Sequence, residues 1–203
     1  MSPEELTRRE QFSSEKRRTE FTLGRAAARL LMSRLTGEPA PEITLALPPG
    51  PGGQALPSGP GGWRVSIAHS GELAAAAAAH GVAVGVDVEL VRPVKRPGRL
   101  AKRLRAPGEP ALDQALPMVS NPVAALILMW TLKESVLKAT GAGIGASPAS
   151  VRLARVEGTD GGWDRGTGEE FALAFMRGPG EACWETRFTL LEGYCLAVSL
   201  PAS

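Results

Sequence analysis

Residues 82–90, VAVGVDVEL, alternate Val82, Val84, Val86, Val88 and Leu90 with Ala83, Gly85, Asp87 and Glu89. Alternation of period two is the mark of a β-strand, in which every second side chain points to the same face. One face is apolar and has to be covered, and the other carries two carboxylates. A second segment is as clear. Asn121-Pro122 opens, and Gly141 closes, a helix over 122–140 whose residues 123–132 are apolar apart from Thr131. A helix apolar on every side is a buried one.

Other elements fall on either side of these two. Ser2-Pro3-Glu4-Glu5 has the capping serine, early proline and first-turn acids of a helix start. A longer helix is expected over 14–35, with Phe21, Ala28, Leu31 and Leu35 as its apolar stripe and Lys16, Arg17, Arg18, Arg25 and Arg29 over much of the rest. Residues 48–62 are almost all proline and glycine and read as a loop. Trp63–Ala68 reads as a strand and His69-Ser70-Gly71 as a turn. Ala74–Ala79 is a conflict, because alanine is the best helix former yet the run lies between two strand-like stretches; a strand is expected. Short strands are expected near 150–156, 171–176, 183–191 and 194–200. The order of helix, strands, helix, strands suggests an α+β fold of two similar halves, residues 1–90 and 91–203.

Composition limits the function classes. A 203-residue chain with 43% hydrophobic residues can bury a core and should be a soluble globular protein. A net charge of +2 and 5% aromatic residues give little support to nucleic-acid binding. The charged N-terminus lacks the apolar core of a secretory signal, so the expected location is the cytoplasm. The longest apolar run, Val123–Trp130, is far short of the roughly 20 residues needed to span a bilayer, so no membrane role is expected. Cys183 and Cys195 lack a metal or redox spacing and read as reduced thiols. Basic character is concentrated in 92–105, RPVKRPGRLAKRLR, with a helix from about Pro97; it is either a solvated face or a dock for an acidic partner.

Asp87 and Glu89, two residues apart on a strand, share one face and can converge on a hard cation. Two carboxylates leave an octahedron incomplete, which suits Mg²⁺, an ion that keeps waters and takes substrate phosphates as ligands. Gly85 would let a bulky ligand approach the backbone. A pair of solvated acids on an exposed face is the competing reading. On the 122–140 helix, Trp130, Glu134 and Lys138 form one stripe, and Lys133 and Glu134 appear abruptly inside the apolar stretch. Charges near a core need partners. An ordinary Glu134–Lys138 helix pair is the alternative.

GVDVE (85–89 with its flank), followed about 45 residues later by WTLKESVLKATG and preceded by SIAHSG, resembles the 4′-phosphopantetheinyl transferase superfamily, specifically its long single-chain, surfactin-type branch. KRRTEFTLGRAAAR near the N-terminus and GYCLAVSLP near the end resemble that family's Arg-rich helix and closing strand. The resemblance implies Mg²⁺-dependent transfer of the phosphopantetheine arm of coenzyme A to a serine of an acyl, polyketide or peptidyl carrier protein, with release of adenosine 3′,5′-bisphosphate. It implies that the two halves pack as a pseudo-dimer with the active site between them. It implies that Asp87, Glu89 and Glu134 are metal ligands and that Glu134 also takes the serine proton. Lys138 would meet the pyrophosphate, His69 the nucleotide phosphates, and Arg17, Arg25 or Arg29 the 3′-phosphate, the choice depending on register. Three features depart from the pattern. Ala68 stands where a hydroxyl is usual, no lysine occurs between Gly37 and Val94, and an FxxxE element after GVDVE is missing. A non-catalytic relative that binds coenzyme A or a carrier is the alternative function. Since one chain carries both halves, a monomer is expected.

Overall fold

The computed structural model describes residues 1–46, 58–142, 146–158 and 170–202. Helices α1 (Pro3–Glu10) and α2 (Glu15–Thr36) are followed by a hairpin of β1 (Trp63–Ser70) and β2 (Leu73–His80), then by β3 (Gly85–Leu90). Helices α3 (Pro97–Leu104), α4 (Leu112–Ala115) and α5 (Pro122–Thr140) lead into β4 (Arg152–Glu157), β5 (Ala172–Arg177), β6 (Cys183–Leu191) and β7 (Tyr194–Pro201). The architecture is α+β. Of the expected proline-glycine loop, 48–57 lies outside the described residues, and a 3₁₀ turn at Pro60–Gly62 ends it. Residues 143–145, shortly after α5, also lie outside them.

The alanine run is a strand. Ala74–Ala79 pair antiparallel with His69–Arg64 through a tight hairpin in which Gly71 adopts φ +60°. Backbone pairing along eight residues and cover from α2 outweigh the helix preference of alanine, which is a small term per residue. Strands β3, β7, β6, β5 and β4 form a second, wholly antiparallel sheet. The two sheets meet at β1 and β3 through serine side chains rather than a backbone ladder. Ser66 Oγ accepts from the Val86 N–H at 3.0 Å and Ser70 Oγ from the Leu90 N–H at 3.1 Å. By its hydrogen bonds, β3 therefore belongs to the sheet completed by the end of the chain.

Helix α5 lies across β3 and β7. Asn121 caps it by accepting from the N–H groups of Val123 and Ala124, and Gly141 ends it at φ +68°. Leu128, Leu132 and Val136 are fully buried, each contributing about 1.5–3 kcal/mol by removal from water. The helix approaches so closely that a Cβ at Gly85 would stand 1.9 Å from the Ser135 carbonyl oxygen. The space expected to admit a ligand at Gly85 is taken by α5. Alternation along β3 is as expected, but the acid-bearing face is covered from Gly85 to Asp87 and opens only at Glu89.

Helix α2 departs from its expected stripe. Its buried residues are Gly24, Arg25, Ala28, Arg29 and Met32, while Leu35 is exposed. Gly24 explains the rotation, since a Cβ there would meet Ile67 Cγ2 at 2.6 Å and only glycine lets α2 rest on β1. Among the described residues, no helix is long and apolar enough to cross a membrane.

Candidate active site

The acidic centre lies where β3 passes under α5. Asp87 is 4% exposed, and the Lys138 ammonium donates to its Oδ1 at 2.7 Å. Its Oδ2 is buried without a hydrogen-bond partner. Burial pushes the Asp87 carboxyl up to about 7; Lys138 opposes the rise, and the charges of Glu89 and Glu134 add to it. Glu134, one helical turn before Lys138 and half-buried, is also raised, first by burial and then by Glu89, against Lys138 and Arg103. Glu89 lies nearer the opening and accepts from Ser70 Oγ at 2.8 Å.

Asp87, Glu89 and Glu134 thus sit within electrostatic reach of one another, and their shared negative charge raises the cost of ionising all three. The same field, added to burial, pushes the buried Cys195 thiol up to about 12, so it stays protonated. Cys183 is free and exposed. Among the described residues, no group of three or more His, Cys, Asp or Glu side chains is arranged as a ready metal site. Lys138, rather than a neighbouring carboxylate, closes on Asp87. The donor set nevertheless suits a hard cation. All three donors are oxygens, one buried oxygen lacks a partner, and a second positive charge would offset the mutual repulsion.

The expected coenzyme-binding residues separate into two groups. His69, half-exposed, places Nδ1 3.6 Å from Glu20 Oε2. With Arg17, Phe12 and Phe21 they line a pocket of about 240 Å³. Arg17 and His69 are therefore brought together. Arg25 and Arg29 are not. Arg25 donates to Glu5 and to the Leu45 carbonyl, and Arg29 donates to Glu5 and to the Ile43 carbonyl. Both guanidiniums are buried, at 3% and 8% exposure, and share the single carboxylate of Glu5, with Arg29 Nη1 left without a hydrogen-bond partner.

Three contributors were missed from sequence. Ser70 holds Glu89, and its signal is its position directly after His69. Glu20 faces His69 across the helix-strand contact. Glu109, in the turn after α3, is 3% exposed and pairs with the fully buried Lys133. An unpartnered lysine inside an apolar helix was the available signal for Glu109.

Residues 83–199 match a family model described as the 4′-phosphopantetheinyl transferase superfamily, and residues 6–79 match one described as the 4′-phosphopantetheinyl transferase N-terminal domain. The 4′-phosphopantetheinyl transferase HetI of Nostoc sp. is 31% identical over 145 residues, which are 71% of this chain and 61% of HetI. A putative 4′-phosphopantetheinyl transferase of Synechocystis sp., slr0495, is 29% identical over 148 residues, covering 71% of this chain and 58% of that protein. The matches thus span about three fifths of each relative. Among solved structures, holo-[acyl-carrier-protein] synthase from Neisseria meningitidis aligns with a TM-score of 0.39 and 21% identity over 60% of this chain and 98% of that one.

Proposed function

The chain belongs to the 4′-phosphopantetheinyl transferase superfamily, and from that premise we propose that it transfers the 4′-phosphopantetheine group of coenzyme A to a serine hydroxyl of an apo carrier protein. The observation that carries the reading is that Asp87, Glu89 and Glu134 lie within electrostatic reach of one another, with one Asp87 oxygen buried and unpartnered and Lys138 bonded to the other. Asp87, Glu89 and Glu134 would hold Mg²⁺, which when bound supplies neutralising charge to the pyrophosphate oxygens. Glu134, raised above the ordinary carboxylate value by burial, is suited to take the proton from the serine oxygen as that oxygen bonds to phosphorus. The bond to adenosine 3′,5′-bisphosphate breaks on the opposite side, and Lys138 offsets the charge left on the departing oxygens. Arg17 and His69 would receive the nucleotide phosphates at the pocket beside Phe12 and Phe21. The protein works as a monomer in the cytoplasm in this reading.

The carrier is proposed to dock on α3. An open groove of about 850 Å³, lined by Leu104, Leu112, Leu126 and Met129 and edged by Lys102 and Arg105, runs from α3 to α5. On the same helix, Arg103 acts electrostatically on Glu134, so α3 lies within electrostatic reach of the catalytic carboxylate. Long-range attraction between this basic helix and an acidic carrier should raise the encounter rate. Arg99→Glu with Lys102→Glu, which spares Arg103, should lower kcat/KM for an acidic carrier about tenfold at low salt, and the loss should shrink as salt is added. An undiminished kcat/KM at low salt would move the dock elsewhere.

The decisive assay combines the protein with coenzyme A, Mg²⁺ and several apo carriers, followed by intact-mass spectrometry. The carrier should gain the mass of one phosphopantetheine arm. Coenzyme A binding by calorimetry with no mass gain on any carrier would instead identify a non-catalytic binder.

A further inference from the structure

We propose that Glu109 and Lys133 are positioning residues that lock the end of α3 and the turn behind it onto α5, one residue before Glu134. The inference rests on the transferase reading for its kinetic consequence, and on the geometry alone for its structural one. Lys133 is fully buried in an otherwise apolar stretch of α5. Its Nζ donates to the Leu104 carbonyl at 2.8 Å, the Val151 carbonyl at 2.7 Å and Glu109 Oε2 at 2.6 Å. Those are all the donors an ammonium has. Glu109 in turn accepts from the Ala106 N–H at 2.9 Å and from the Leu153 N–H at 2.7 Å. Arg105 Nε donates to the Glu109 carbonyl at 3.0 Å, which fixes the turn from outside.

Four parts of the chain therefore converge on one ion pair: the last residue of α3, the 105–109 turn, the start of β4 and α5. Successive residues on a helix differ by about 100° in direction, so Lys133 reaches inward beneath α3 while Glu134 turns toward β3. Leu104, whose carbonyl the lysine grips, directly follows Arg103, which acts on Glu134 more weakly than Lys138 does. Leu104 and Glu109 also line the groove assigned to the carrier. A buried ion pair is often no more stabilising than apolar residues of the same volume. Here its hydrogen bonds to four backbone groups from three segments specify a single arrangement. The clamp keeps the docking surface in register with the catalytic carboxylate.

Lys133→Met alone would strand a buried carboxylate, so the test uses the charge-free pair Glu109→Gln/Lys133→Met, with its fold checked by circular dichroism. Amides of 97–111 should exchange with deuterium at least tenfold faster than in the wild type, while those of β3, β7 and the second half of α5 keep their protection. In the transfer assay, KM for the carrier should rise about tenfold and kcat should fall at least tenfold, with KM for coenzyme A unchanged. Glu109→Asp, which keeps the charge but shortens its reach, should move the same quantities by a smaller factor and serves if the double variant does not fold. Unchanged exchange in 97–111, or faster exchange spread evenly over the protein, would overturn the clamp. Kinetic losses shared by the coenzyme A KM would overturn its positioning role. A wild-type protein without transfer activity would remove the enzymatic reading, and the exchange measurement would still decide the clamp.

Discussion

Glu134→Gln should slow transfer about 10³-fold while leaving the melting temperature undiminished. General-base catalysis is commonly worth 10²–10⁴ in rate, and glutamine cannot accept the serine proton. Stability should behave in the opposite way. Burial and the neighbouring Glu89 charge disfavour the ionised Glu134 carboxylate by more than Lys138 and Arg103 favour it, so the loss of its charge relieves more than the lost attraction costs. Metal binding separates the roles further. With Mg²⁺ at ten times its dissociation constant, binding to the native state alone should contribute about 1.4 kcal/mol, or roughly 3–6 °C for a chain of this size. Asp87→Asn should lose that shift, because it removes the charge of the acid whose Oδ2 is buried without a hydrogen-bond partner. A near-wild-type rate in Glu134→Gln would exclude it as the base, and an undiminished Mg²⁺ shift in Asp87→Asn would exclude Asp87 as a ligand.

What the sequence made legible was mostly local. The period-two pattern of 82–90 put Asp87 and Glu89 on one face of a strand, and that pattern survives in β3 because the alternation of side chains between the two faces is a local property of extended backbone. The 122–140 helix carries its own cap and stop, so its ends needed no tertiary information. Partners distant in sequence were the hidden part. Nothing near Arg25 or Arg29 points to Glu5, 20 and 24 positions away, and an Arg-rich helix at the surface has the same composition as one whose arginines are spent inside. Lys133 was visibly out of place, yet its acid, Glu109, follows a proline-glycine turn that carries no helical or strand period. Gly85 was read as room for a ligand because a sequence does not show which neighbour fills the space above a glycine.

Glu5→Ala should be among the most destabilising single changes in the molecule. Glu5 is wholly buried, accepts from both Arg25 and Arg29, and completes the α1 capping box by accepting from the Ser2 N–H at 2.7 Å. Removing it leaves two buried guanidiniums facing each other with no counter-charge. Breaking a buried ion pair costs roughly 3–5 kcal/mol, which corresponds to a fall of about 6–20 °C in the melting temperature. The pH dependence follows from the state of this carboxyl. Burial alone would raise it, but hydrogen bonds from Arg29, Ser2 and Arg25 outweigh that effect and hold it below the ordinary 4.5. A group depressed by folding stabilises above its unfolded pKa, so the difference between wild type and Glu5→Ala should be complete above about pH 4.5 and shrink as the pH falls below it. Arg17→Ala provides the contrast, because Arg17 is exposed beside His69 and takes no part in this network. It should leave the melting temperature within about 1 °C and raise KM for coenzyme A, whereas Arg25→Ala should lower the melting temperature. If Arg25→Ala raised KM for coenzyme A without any thermal loss, the 3′-phosphate would be held by Arg25, and the buried network would be a resting arrangement that the nucleotide displaces.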